Sequence, residues 1–224
     1  MKNSQQPQQQ QQQLTPEEQF EQAKLYLWSS IQENNLHNIQ VILNANFPVN
    51  QSLNPLGLTA LHYAATNKYP QIMQFLLQPQ YAANPNQPDI MGRTPLHMAA
   101  ADGNVLVLNV LLLVAGIVID GQSVGGETPL MRAVEHSKIH AVQVLLRAGA
   151  NPFTLRNVSG LNALDIARIT RNAEIETLLL SVAPQGYVVP VTSSIAGGQQ
   201  QQDPGNRQGG GGGAGSADDS QMHE

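Results

Sequence analysis

A nine-residue motif recurs through the middle of the chain and limits what it can fold into. GLTALHYAA begins at Gly57, GRTPLHMAA at Gly92, GETPLMRAV at Gly126 and GLNALDIAR at Gly160, at spacings of 35, 34 and 34 residues. An apolar element recurs between these copies, at Gln71–Gln78, Leu106–Leu113, His140–Arg147 and Glu174–Ser181. A further copy precedes them at His37–Asn44. A fixed period of this length is the mark of a stacked repeat, in which each unit buries its apolar face only against its neighbours.

The residues within one period specify two short helices and an extended turn. Thr59, Thr94 and Thr128 stand where an N-cap hydroxyl is needed, and Pro95 and Pro129 occupy the first helical position. Gly57, Gly92, Gly126 and Gly160 suit tight turns with positive φ. The alanine pairs Ala64-Ala65 and Ala99-Ala100 let neighbouring first helices approach closely. The leucine pairs Leu76-Leu77, Leu111-Leu112 and Leu145-Leu146 fill the space between units.

Thr94-Pro95-Leu96-His97-Met98-Ala99 matches the TPLHxA signature of the ankyrin repeat, and Thr59–Ala64 departs from it only at Ala60. Ala83-Asn84-Pro85-Asn86 and Gly149-Ala150-Asn151-Pro152 also look like that family's linking turn. The chain therefore resembles the ankyrin-repeat family over residues 15–183. The resemblance implies an all-α, ankyrin-like helical solenoid of about five repeats. The units would run over about 15–51, 52–86, 87–120, 121–154 and 155–183. It also implies that His62 and His97 are structural hydrogen-bonding residues.

The two ends are expected to act as caps. Thr15-Pro16-Glu17-Glu18 spells a capping box, and Phe20, Ala23, Leu27 and Ile31 follow at helical spacing. This first helix carries Glu17, Glu18, Glu21, Gln22 and Lys24, so a polar outer face is expected there. The last unit substitutes Asn162 for Thr and Asp165 for His.

Outside the repeats the composition changes. Residues 4–13 are SQQPQQQQQQ, and residues 184–224 hold Gln199–Gln202, five glycines from Gly209 and an acidic end. Such segments bury too little apolar surface to offset their ordering entropy, so 1–14 and 184–224 read as disordered tails. The exception is Gly186–Val191, GYVVPV, which is apolar enough to dock on the stack as a cover.

Charge and chemistry narrow the function. The net charge of −5, from 11 basic and 16 acidic residues, argues against capture of nucleic acid. Without cysteine there is neither a disulfide nor a thiolate nucleophile. The N-terminus has no apolar signal region, so a cytoplasmic or nuclear, non-secreted protein is expected. The glycine run is no phosphate loop, because it follows no strand and precedes no helix. His136 and His140 are four apart, but they straddle the turn between two helices with no third ligand nearby. No enzyme activity, metal, cofactor, membrane or small-molecule substrate is expected.

Function then becomes recognition of a protein partner, of unknown identity and with the oligomeric state open. The resemblance implies binding through turn tips and first helices along a concave face. The residues at those positions are Leu56, Leu58, Ile90, Met91, Arg93, Asp102, Val124, Glu127, Glu135, His136, Val158 and Leu161. The tips among them are unusually apolar, and the mixed charge of Arg93 against Asp102, Glu127 and Glu135 points to a protein. An adaptor or inhibitor would use this face alone. The alternative, an architectural subunit of a stable assembly, would also use the convex side.

The convex side carries one anomaly. VLVLNVLLLVAGIVI, from Val105 to Ile119, is broken by Gly116 and falls short of the ~20 apolar residues of a membrane span. In register with its sister elements, Val107, Leu108, Val110, Leu111 and Leu112 become core. The first, fourth and eighth positions of each element face outward. They are polar in four units, but Leu106, Asn109 and Leu113 in the third. Leu106, Leu113 and Val114 are therefore expected to form an apolar convex patch.

Overall fold

Each repeat folds as a pair of helices that, after the first, are too short to be stable alone in water. The computed structural model describes residues 14–184 except 68. It contains five helix pairs: α1 (Pro16–Gln32) with α2 (Leu36–Asn44), α3 (Ala60–Thr66) with α4 (Pro70–Leu76), α5 (Pro95–Asp102) with α6 (Val105–Leu112), α7 (Pro129–Glu135) with α8 (Ile139–Arg147), and α9 (Ala163–Ile169) with α10 (Ala173–Ser181). No strand occurs among the described residues. After α1 no helix exceeds nine residues, below the ~12–15 at which isolated helices become even marginal. Stacking supplies the missing stabilisation. First helices pack in the order α1, α3, α5, α7, α9, and from the second pair onward the second helices pack as α4, α6, α8, α10.

The core lies between these two rows. Ala64, Ala65, Ala99 and Ala100 are fully buried, which lets α3, α5 and α7 pack closely. Leu76, Leu111 and Leu145 are also fully buried, while their partners Leu77, Leu112 and Leu146 are half-buried. The outward register holds at Leu106 and Leu113, both exposed. Val110 and Leu112 are half-buried rather than full core; α6 ends at Leu112, which lines a groove between α6 and α8. Gln143 is half-buried where an outward residue was expected, since it lines a groove beside α10.

The apolar run Val105–Ile119 is not one helix. Asn104 caps α6 by accepting the Val107 N–H at 3.4 Å, Leu113 closes it, and Gly116 turns with φ +79°. Among the described residues no helix is long and apolar enough to cross a membrane.

The first unit departs from the polar cap expected of it. The Thr15–Glu18 capping box forms, with the Glu18 carboxylate 2.8 Å from the Thr15 N–H. Leu27 and Ile31 are buried, and Phe20 stacks on Phe47 with ring centroids 5.2 Å apart. Yet Leu25, Tyr26 and Trp28 are exposed on α1, as is Val41 on α2. Trp28 occupies the place that His62 takes 34 residues later, and its ring meets Tyr63 edge-on at 6.4 Å. The charged residues gather in the first half of α1, so the apolar second half is left uncovered. The Gln-rich and Gly-rich tails, and Gly186–Val191, lie outside the described residues except for Leu14 and Pro184.

Candidate interaction surface at the turn tips

Four residues at matching positions build the four tips. Asn54, Asp89, Ser123 and Asn157 each stand three residues before the tip glycine. Each accepts, through its side-chain oxygen, the N–H of the residue after that glycine, at 2.8–3.2 Å. The glycine N–H in turn donates to the backbone carbonyl of the same residue. A short polar side chain that closes its own turn in this way is a local substitute for strand pairing. These four residues are inconspicuous in the sequence, although they recur at the same 35, 34 and 34 spacing as the glycines. Their types differ (Asn, Asp, Ser, Asn), so no single letter drew attention to them.

Backbone hydrogen bonds then tie tip to tip. The Ile90 N–H donates to the Leu56 carbonyl at 3.1 Å, Val124 to Met91 at 2.8 Å, and Val158 to Gly125 at 2.9 Å. A parallel row of side-chain ties runs along the linking turns. Asn50 bonds the backbone at Ala82 and Asn84, Asn86 bonds it at Gly116 and Val118, and Asp120 accepts the Asn151 N–H.

Close approach explains the glycines. A Cβ on Gly92 would sit 2.8 Å from the Val124 nitrogen, and one on Gly126 2.9 Å from the Asn157 Cα. Gly160 also has positive φ, but nothing lies within 4 Å of its Cβ position. Gly160→Ala is expected to cost about 1 kcal/mol, from φ alone. Gly92→Ala should cost clearly more, because backbone must also move. Thermal denaturation of the two variants checks this; equal losses would show that tip contact does not set the need for glycine.

The two motif histidines are buried straps. The Thr59 and Thr94 N–H groups each donate to the imidazole Nδ1 of His62 and His97 at 3.1 Å. That leaves Nε2–H to donate across the unit boundary, from His62 to the Arg93 carbonyl at 2.9 Å and from His97 to the Glu127 carbonyl at 3.0 Å. Burial holds both imidazoles neutral, and that of His97 is lowered to about 4. Thr128 caps by accepting the Met131 N–H at 3.2 Å. Thr59, Thr94, Thr128, His62 and His97 thus act within the stack.

The apolar tip residues divide. Leu56, Ile90, Met91, Val124 and Val158 are exposed, Val158 at 79%. Leu58 and Leu161 are half-buried, because their backbone closes the tip and their side chains turn inward. Met91 and Val158 border a shallow hollow of about 320 Å³ with Glu127 and Arg132.

The charges are less free than their sequence positions imply. Arg93 is held by the buried Asp89 carboxylate, with Nη2 at 2.7 Å and Nε at 2.8 Å. Arg132 takes both Glu135, at 2.6 Å, and Glu127, at 3.7 Å. Mixed charge on this face is therefore mostly internal pairing. His136 ends α7 and donates from Nδ1 to the Arg132 carbonyl at 3.0 Å. Asp102, at the end of α5, is exposed, and partial burial raises its carboxyl above the usual range. Leu106 and Leu113 are exposed near opposite ends of α6, with exposed Asn109 between them, and Val114 is half-buried.

Comparison with known proteins agrees with this geometry. A model of three ankyrin repeats matches residues 27–122 and a single-repeat model matches 125–158. Together they take in more than half of the chain, which belongs to the ankyrin-repeat family. It is 40% identical over 95 residues to human neurogenic locus notch homolog protein 4, covering 42% of this chain and 5% of that protein. It is 28% identical over 132 residues to mouse Rabankyrin-5, covering 59% and 11%. It is 30% identical over 148 residues to the chicken nuclear factor NF-kappa-B p105 subunit, covering 65% and 15%. The chain thus spans only a small part of each relative. Ankyrin repeats generally mediate protein–protein interactions.

Proposed function

We propose that this protein is a non-catalytic adaptor or inhibitor whose folded part, residues 15–183, holds a protein partner along the tips and first helices. The supporting observation is the row of exposed Leu56, Ile90, Met91, Val124 and Val158 on tips already fixed by hydrogen bonds. Apolar anchors on a rigid support bind with little ordering cost. Each is worth about 1.5–3 kcal/mol when fully buried by a partner.

The test follows from which residues are free. Arg93 is unsuitable, since a glutamate there would face the buried Asp89. Met91→Asp combined with Val124→Asp removes two anchors and leaves the internal pairs intact. Partners recovered with the full chain from its native source, identified by mass spectrometry, should bind the double variant about 100-fold more weakly, equivalent to about 3 kcal/mol. Thermal stability should change little. An unchanged partner list and affinity would refute the tip reading.

A second reading, an architectural subunit of a stable assembly, draws support from Leu106 and Leu113. It requires the isolated full chain to self-associate or need a co-expressed partner, which light scattering distinguishes from a well-behaved monomer.

A further inference from the structure

Two apolar grooves lie between the second helices, and one unpaired arginine separates them. The first groove, of about 410 Å³, runs between α6 and α8 and is lined by Leu112, Leu113, Val144 and Ala148, with Asn109 beside them. The second, of about 210 Å³, runs between α8 and α10 and is lined by Leu146, Leu178 and Val182, with Gln143 and Ser181 beside them. Arg147 lines both and is the only charged residue that lines either. Its aliphatic stem covers apolar surface while its guanidinium stays in water. Arg93, Arg132, Arg156 and Arg168 each have a carboxylate partner, and Arg171, which has none among the described residues, lines neither groove. Arg147 has no hydrogen bond or ion pair among the described residues. Leu113, at the rim of the larger groove, is 88% exposed.

We propose that this face docks an amphipathic helix of a partner protein, with an acidic residue on Arg147 and an apolar residue in each groove. Spacing selects the helix. Packed helices lie about 8–10 Å apart, so the grooves flanking α8 are separated by roughly that distance. On a helix, residues seven apart lie on one face about 10.5 Å from each other, with the residue three or four along between them. An extended strand puts same-side residues at about 6.6 or 13 Å, and neither matches. The ligand pattern is therefore an apolar residue, an Asp or Glu three or four later, and a second apolar residue seven later. Carbonyls at the end of α8 oppose an anion there, but a forked pair with the guanidinium is the stronger interaction.

This proposal does not depend on the tip reading, and its test uses other variants. A display library of helical peptides is selected on the full-length protein, with Arg147→Glu as the counter-selection. Enriched peptides should carry the apolar–acidic–apolar pattern. Made synthetically with a fluorescent label, they should bind Arg147→Glu at least tenfold more weakly, and Leu113→Gln similarly. Changing the peptide acid to lysine should restore binding to Arg147→Glu. Met91→Asp with Val124→Asp should leave binding unchanged. Circular dichroism confirms that each variant is folded, and Arg147→Gln replaces the reversal if it is not. Peptides without the acid, binding indifferent to Arg147, or binding lost with the tip variants would overturn the proposal. So would a concentration-dependent dimer abolished by Leu113→Gln, which would assign the face to a second copy of the chain.

Discussion

Asp89→Ala is expected to destabilise the protein by about 3 kcal/mol, among the largest effects of any single polar substitution. Asp89 is 6% exposed as a whole residue, and its side chain is fully buried. One oxygen accepts the Met91 and Arg93 N–H groups at 2.9 and 2.8 Å, and the other holds the Arg93 guanidinium. Alanine would leave two N–H groups and a charge without their acceptor, and unmade bonds at a buried position cost more than made ones contribute. The damage would spread to both sides, because this tip donates to Leu56 and accepts from Val124. Asp89→Asn retains an oxygen for the two N–H groups and should cost only about 1–2 kcal/mol. Denaturant unfolding of the two variants measures the difference. If alanine and asparagine cost the same, the N–H bonds are not what the carboxylate supports.

Acid should weaken the stack in a window set by the buried histidines. His97 is lowered to about 4 by burial, against 6.5 when exposed. Between those values the unfolded chain binds a proton that the folded one refuses, so stability falls as pH falls. The loss from His97 alone is about 2 kcal/mol by pH 5 and about 3 kcal/mol by pH 4. His62 is shifted in the same direction by the same cause and steepens the decline. Stability measured at pH 7.5, 6 and 5 should show the slope. His97→Gln should start less stable at neutral pH but flatten the slope. An unchanged slope in that variant would mean that other groups govern the acid response.

Local signals made the fold legible, and neighbour relations limited what could be read of the surface. The capping box at Thr15, the threonine caps and the glycine turns are all set within four or five residues of chain, so the sequence carries them. The outward register of Leu106 and Leu113 was also legible, because five aligned copies expose one departure. What escaped needed the third dimension. Asp89 and Arg93 are four apart and were available to see, yet nothing in the letters says that the carboxylate is buried. The pairing of Arg132 with both Glu127 and Glu135 turns apparent partner charges into internal ones. Leu58 and Leu161 alternate with Leu56 and Ser159 around a turn whose inward side only packing defines. The grooves beside Arg147 exist only because α6, α8 and α10 lie side by side.

The histidine straps do not run the length of the stack. His62 joins the second unit to the third and His97 the third to the fourth, but Trp28 and Met131 stand at the matching places on either side. The two outer joints each lack that strap while keeping other ties, from Asn50 to the Ala82 and Asn84 backbone and from Gln122 to the Arg156 carbonyl. A partner that touches only the central tips meets a surface already in its final shape. One that reaches either end crosses a joint without that strap, and any order it imposed there would be drawn from its contact energy.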